Sequence, residues 1–235
     1  FARLKKYADL RHAPARHVIL HEVIHIEHNG PMGNDNSHQL MIEAARWKIE
    51  FPDQIHVLHS NHEMSQLTGK EICKGGRVVN LDFEQSLAAT YGNKADGVLD
   101  AIRQYIASFA LAARTQNRVF LSHSLPNMSD LAAFDYTIFQ RPLGLDDFRD
   151  GGDAYVMVWG RHHPSRLLEQ LADIFDVDWF LCGHQPQESG FRVLHNRMII
   201  LASDHNHGAF LPFDLKKSYT IQELSNLIRP FAAIG

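Results

Sequence analysis

The feature that most constrains the fold is a set of short apolar runs that each end in polar residues able to bind a metal. The runs are bounded by turn residues and are typical of strands. In open α/β sheets, ligands gather beyond the carboxyl ends of the strands, so the four endings together predict one site on one rim. The runs and their endings are 57–58 with 59–63, 119–121 with 122–124, 179–182 with 183–185, and 199–201 with 202–207.

The rest of the chain alternates helical and extended patterns early and crowds strands together late. This order predicts an α/β protein with two sheets and outer helices. The absence of repeats and of a Pro/Gly linker predicts a single domain over residues 1–235, and Asn29-Gly30-Pro31 predicts a turn. Predicted helices cover 2–10, 38–50, 95–115, 164–175 and 221–228, and predicted strands cover 17–26, 54–58, 118–121, 155–159, 179–182, 191–194 and 198–202.

Composition argues against a nucleic-acid-binding, a membrane-spanning and a disulfide-rich protein. The formal charge is −4, from 23 basic and 27 acidic residues, which predicts no attraction to nucleic acid or to anionic lipid. No apolar run approaches the roughly 18 residues that span a bilayer. The two cysteines cannot form a disulfide framework, and a cytoplasmic location is expected. The unusual count is 16 histidines, because histidine is the commonest metal ligand.

The donors at the strand ends are imidazole nitrogens and amide or carboxylate oxygens. Such a mixed set suits Mn²⁺, Fe or Zn²⁺ better than a thiolate set would. Two ions about 3.5–4 Å apart can clamp a phosphate and activate a water, and a nearby histidine can protonate the leaving oxygen. The pattern therefore predicts a divalent-metal site, with two ions expected, of a kind that is able to hydrolyse a phosphate ester.

Five blocks carry a resemblance to a known family. The segment 52–63, which ends in Asn61-His62-Glu63, is similar to the "GNHE" block of calcineurin-like metallophosphoesterases, especially their serine/threonine protein phosphatase branch. The other blocks follow in the family's order and cover residues 117–126, 158–161, 178–191 and 199–208. The resemblance implies the family's α/β/β/α sandwich, with two central mixed sheets flanked by helices, and hydrolysis of a phosphorylated protein, nucleotide or small ester.

The resemblance also implies roles for individual residues. Asn61, His123 and His184 fall at ligands of the family's second metal, and His62 falls at the histidine that protonates the leaving group. Arg161 lies near a phosphate-gripping arginine of bacterial members, with an ordinary surface arginine as the alternative. His205 and His207 lie in the loop that flanks the substrate groove, where they either touch substrate or hold the loop.

The chain departs from the family near its start. The "GDxHG" block that supplies the first metal's Asp and His is absent, and the resemblance places it upstream of Phe1. In the next block Glu22 stands for the metal-bridging Asp, and His25 stands for the Asp that supports the catalytic histidine. Counted without a gap from Gly30-Pro31, His25 would instead be the metal ligand. We prefer Glu22, because the apolar run 18–20 ends just before it.

Two rival hypotheses use the same residues. His21-Glu22-Val23-Ile24-His25 spells H-E-x-x-H, which on a helix would bind Zn²⁺ as in metalloproteases. The β-branched composition and the turn signal at 29–31 argue against that helix. In the second hypothesis, a phosphoesterase fold without the first-metal block is no longer catalytic and binds a partner or one structural metal.

Overall fold

The computed structural model describes residues 1–25 and 35–234, so the predicted turn at Asn29-Gly30-Pro31 lies outside the described residues. The chain divides into two compact units. Unit 1 consists of Phe1 and Ala8–Ala110, and unit 2 consists of Ala2–Tyr7 and the chain from Leu111 onward. The prediction of a single domain stays a prediction.

Unit 1 combines short strands with helices. Strand β1 (Val18–Leu20) pairs in parallel with β2 (Ile55–Val57), and β3 (Cys73–Lys74) forms a hairpin with β4 (Arg77–Val78). Parallel pairing sends the carboxyl ends of β1 and β2 in the same direction. The helices are α2 (Ser37–Glu50), α3 (Asn61–Thr68), α4 (Val79–Tyr91) and α5 (Ala95–Ala107).

Unit 2 is built on a five-stranded mixed sheet in the order β5-β6-β7-β9-β8. The central strands β6, β7 and β9 are parallel, and the edge strands β5 and β8 are antiparallel to their neighbours. The strands are β5 (Ala112–Arg114), β6 (Val119–Ser122), β7 (Trp179–Cys182), β8 (Phe191–Leu194) and β9 (Met198–Leu201).

The other elements of unit 2 include α6 (Asp153–Trp159), α7 (Ser165–Phe175), α8 (Ile221–Leu227) and a two-stranded sheet of β10 (Ala209–Phe210) and β11 (Arg229–Pro230). Most of α1 (Ala2–Ala8) belongs to this unit. One core cluster is formed by Val119, Leu181, Ile199, Ala209, Leu224 and Ile228. No helix in the described ranges is long and apolar enough to cross a membrane.

The mixed α/β class is confirmed, and three segments differ from their prediction. Residues 155–159 were predicted as a strand and belong to helix α6. The prediction was wrong because a short apolar run does not by itself distinguish a buried helix from a strand. The predicted helix 95–115 ends at Ala107, and residues 112–114 form β5. The structure describes residues 17–25 of the predicted strand 17–26, and within them only Val18–Leu20 is paired. Helices α3 and α4 were not predicted.

Candidate active site

In unit 1 the ends of β1 and β2 bring Glu22 and His62 together. The two strands pair Val18 with Ile55 and Leu20 with Val57, and the Leu58 N–H continues the ladder by donating to the Leu20 carbonyl over 2.8 Å. Residues 21–25 and 59–63 therefore leave the sheet side by side. The Nε2 atom of His62 lies 3.4 Å from a carboxylate oxygen of Glu22.

Helix α3 fixes the positions of Asn61 and His62. Ser60 is its N-cap, and its Oγ accepts hydrogen bonds from the backbone N–H groups of His62 and Glu63. The helix ends at Thr68 and is followed by Gly69, whose left-handed conformation (φ 77°) suits a C-cap. Asn61 and His62 are the first two helical residues, and each is only 2% exposed. A local cap thus holds both candidate site residues at the end of β2.

His25 contacts His62, as the resemblance implied. Their Nδ1 atoms lie 3.1 Å apart, and the Nε2 atom of His25 lies 3.0 Å from Oε1 of Gln66. Burial lowers the pKa of His25 to about 4, so its ring is neutral near pH 7. Because both of its ring nitrogens have protein partners, the geometry favours an orienting role for His25 over the alternative role as a metal ligand.

The segment 21–25 has an unusual backbone. Glu22 (φ 52°) and His25 (φ 63°) are both left-handed, a conformation that costs of order 1–3 kcal/mol for a residue other than glycine. Hydrogen bonds offset this cost. The Val23 N–H donates to Oε1 of Glu63 over 2.7 Å, and the His25 N–H donates to Oγ of Ser37 over 2.9 Å.

Glu63 is the central anchor of this segment. It is fully buried, it accepts from Val23 and from the Ser60 hydroxyl, and burial raises the pKa of its carboxyl group. Sequence reasoning quoted Glu63 in the Asn61-His62-Glu63 block without giving it a role, and it did not identify Gln66. A signal was available for Gln66, because residues four apart share a helix face and Gln66 is four residues after His62.

The backbone of residues 21–25 does not have the helical geometry that the metalloprotease hypothesis requires. Residues 21–25 form no helix, and left-handed residues interrupt them, so His21 and His25 do not share a helix face. Burial lowers the pKa of His21 to about 4. The ligand atoms of His21 and Glu22 lie within 4.8 Å of one another, so an imidazole and a carboxylate are available together in unit 1.

In unit 2 two adjacent parallel strands bring His123 and His184 together. His123 follows β6 and His184 follows β7, and the strands pair Val119 with Trp179 and Leu121 with Leu181. The Nε2 atom of His123 lies 3.0 Å from Nδ1 of His184. His123 is fully buried, and His184 is left-handed (φ 66°). The strand-end rule therefore predicted this pair correctly.

A second loop clamps the segment that contains His123. The Ser124 hydroxyl donates to the Gly160 carbonyl over 2.5 Å, and the His163 imidazole contacts the Leu125 carbonyl at 3.0 Å. The backbone N–H groups of residues 161 and 162 both donate to Oδ1 of Asn127 over 3.1 Å. We call these four contacts the 160–163 clamp. It fixes the path of the chain directly after His123.

The two candidate substrate-binding residues have different surroundings. Arg161 is exposed, and within the described ranges its guanidinium makes no hydrogen bond or ion pair. His205 is exposed, with Nε2 2.9 Å from the Gln187 carbonyl and Nδ1 accepting from the His207 N–H. Both ring nitrogens of His205 are therefore used within the loop, which favours the alternative in which it holds that loop.

The donor chemistry of these residues fits a divalent metal. Unit 1 offers a carboxylate at Glu22, an amide at Asn61 and an imidazole at His21, and unit 2 offers the His123–His184 pair. Imidazole, amide and carboxylate donors together suit Zn²⁺, Mn²⁺ or Fe. The roles of the individual residues stay predictions.

The comparisons with known proteins give the fold. No protein-family model and no curated protein sequence matches the chain. A protein serine/threonine phosphatase from Saccharomyces cerevisiae is similar in structure, with a TM-score of 0.52 at 13% identity over 74% of this chain and 57% of that chain. A cold-active protein tyrosine phosphatase has a TM-score of 0.55 at 15% identity over 85% of this chain and 64% of that chain.

A cold-active protein tyrosine phosphatase from a psychrophilic Shewanella species is also similar, with a TM-score of 0.50 at 16% identity over 75% of this chain and 59% of that chain. The chain thus spans less than two thirds of the length of each of these structures. Likeness at this level of identity establishes the fold alone. The calcineurin-like resemblance of the sequence is confirmed in that sense: this chain has the fold of these protein phosphatases.

Proposed function

We propose that this chain is a metal-dependent phosphoesterase that hydrolyses a phosphate monoester with a metal-activated water. Phosphorylated protein, nucleotide and small esters are the candidate substrates. The observation that carries the proposal is the placement of His62, whose ring contacts Glu22 on one side and His25 on the other. When its ring is doubly protonated, a histidine held in this way can give the proton on Nε2 to a leaving oxygen.

The proposal assigns metal binding to Glu22, Asn61, His123 and His184. Divalent Mn, Fe or Zn, with two ions expected, would supply a water of lowered pKa and neutralise charge on the phosphoryl group. His62 is the proposed proton donor, and His25 orients its ring. Arg161 is the proposed phosphate contact, and its exposed guanidinium is available for that role. His205 is kept as a candidate substrate contact, and the cytoplasmic location is kept because both cysteines are free thiols.

The first experiment measures hydrolysis of p-nitrophenyl phosphate by this chain over a Mn²⁺ titration. His62→Ala should lower kcat by at least about 100-fold, the usual contribution of a positioned proton donor. The matched control is His195→Asn, which replaces an exposed histidine at a left-handed position (φ 49°) that asparagine tolerates. Turnover that survives His62→Ala would refute the role of His62.

Metal content is measured on the same proteins by mass spectrometry after dialysis against Mn²⁺. His123→Ala and His184→Ala should each lower the bound metal, and His195→Asn should not. Bound metal without turnover would refute catalysis and support the alternative of a degenerate fold that binds a partner. Unchanged metal content in both histidine variants would refute the ligand assignment.

A further inference from the structure

A chain of hydrogen bonds continues from His25 into the interior of unit 1. The Nε2 atom of His25 lies 3.0 Å from Oε1 of Gln66, and Nε2 of Gln66 donates to Glu84 over 2.8 Å. The guanidinium of Arg103 donates to the same Glu84 oxygen over 3.1 Å. We call His25, Gln66, Glu84 and Arg103 the relay. It connects the segment at the end of β1 to helices α3, α4 and α5.

The orientation of the Gln66 amide is set by two independent neighbours. A carboxylate only accepts hydrogen bonds, so the Gln66 NH₂ group has to face Glu84, which also accepts from Arg103. The contacts of Asn80 indicate the same orientation of the Gln66 amide. Its Oδ1 accepts from the Ile72 N–H over 2.8 Å, so its NH₂ group points toward Oε1 of Gln66, 3.4 Å away. The Gln66 carbonyl oxygen therefore faces His25.

This orientation selects one tautomer of His25. An amide oxygen accepts, so Nε2 of His25 has to carry the hydrogen, and in the neutral ring Nδ1 is then an acceptor. The Nδ1 atom of His62 lies 3.1 Å from that acceptor and has to donate to it. The other nitrogen of His62, Nε2, is left facing Glu22 at 3.4 Å. His25, His62 and Gln66 are each less than 5% exposed, so water does not compete for these bonds.

We propose that Gln66, oriented by Glu84 and Asn80, is a positioning residue that fixes the tautomer of His25 and thereby keeps the hydrogen of neutral His62 on Nδ1. The relay holds the hydrogen of neutral His62 on Nδ1, as a carboxylate partner does for a catalytic histidine. A second proton taken up by the His62 ring is then carried on Nε2, and that proton is the one available to a leaving oxygen. Its catalytic meaning rests on the proposed function. The tautomer itself does not, because it follows from the contacts of the folded chain.

The test reads the tautomer directly. Long-range ¹H–¹⁵N correlation of the ¹⁵N-histidine-labelled chain distinguishes an Nε2–H ring from an Nδ1–H ring, and His25→Asn assigns the signal. Wild-type His25 should show the Nε2–H pattern. Gln66→Met, which removes the acceptor and keeps the volume, should produce the Nδ1–H form or a mixture. Glu84→Ala should do the same, because it leaves only the long 3.4 Å contact from Asn80 to orient the amide.

The matched control is Gln222→Met on the exposed face of α8, which should leave the His25 signal unchanged. An Nδ1–H pattern or a doubly protonated ring in wild-type His25 would overturn the proposal, and this reading does not depend on whether a variant folds. An unchanged Nε2–H pattern in both Gln66→Met and Glu84→Ala would also overturn it.

Activity on p-nitrophenyl phosphate separates this inference from the proposed function. If the wild type is active, Gln66→Met should lower kcat about tenfold, typical of a residue that orients a functional group, with KM little changed. Equal kcat values in Gln66→Met and Gln222→Met would remove the catalytic role. An inactive wild type with Nε2–H His25 would refute the proposed function and support the tautomer assignment.

Discussion

The 160–163 clamp predicts opposite effects for two substitutions of the same chemical type. A Cβ atom at Gly160 would lie 1.8 Å from the Leu125 carbonyl oxygen, whereas a Cβ atom at Gly97 would meet nothing within 4 Å. Gly160 has φ −63° and ψ 139°, which alanine adopts without strain. The effect of Gly160→Ala is therefore a collision and not a backbone preference.

The size of the effect follows from how far the clamp has to open. Ordinary van der Waals contact begins at 3.4 Å, so residues 125 and 160 have to separate by about 1.6 Å. Such a shift breaks two to four of the clamp's hydrogen bonds, each worth about 1 kcal/mol net. Gly160→Ala should therefore lower the free energy of unfolding by about 2–4 kcal/mol. Gly97→Ala, at an exposed position of helix α5, should raise the free energy of unfolding by about 0.5–1 kcal/mol.

The assay is urea unfolding at pH 7, followed by tryptophan fluorescence and circular dichroism. Because the clamp positions the residues after His123, Gly160→Ala should also change the imidazole signals of His123 and His184 in the ¹H–¹⁵N spectrum, and Gly97→Ala should not. A Gly160→Ala protein as stable as the wild type, with unchanged histidine signals, would show that the two loops are not in the contact described.

Two further predictions concern unit 2. Burial lowers the pKa of His163 below its ordinary 6.5 in the folded protein. As pH falls below about 6.5, His163 is therefore protonated first in the unfolded chain, and the folded protein loses stability. His163→Gln, which stays neutral, should lose less stability than wild type between pH 7 and 5.5 in urea titrations, and equal losses would contradict this. Thr220 caps α8 by accepting from the Glu223 N–H, and Glu223 accepts in return from the Thr220 N–H. Thr220→Ala should cost about 1 kcal/mol and Thr220→Ser much less, and matching urea midpoints for these two variants would rule out the cap.

The sequence by itself determined the α/β class and the strand-end positions of several candidate residues. His123 and His184 were predictable because apolar runs mark the strands, and parallel neighbours end on the same rim. The position of His62 followed from the motif around it. Ser60, which caps α3, is a local signal in the sequence that the prediction did not use. These features depend on local pattern and on short-range rules, which a sequence records.

Tertiary structure decided the partners of those residues. The apolar run 155–159 is compatible with a strand or with a buried helix. Tertiary packing determines that it is helical. The segment 21–25 took a left-handed path because buried Glu63, some 40 residues away, accepts its backbone N–H. Gln66 meets Glu84 and Arg103 only after α3, α4 and α5 have packed together. Such pairings depend on distance and orientation in the folded chain, and sequence spacing does not encode either.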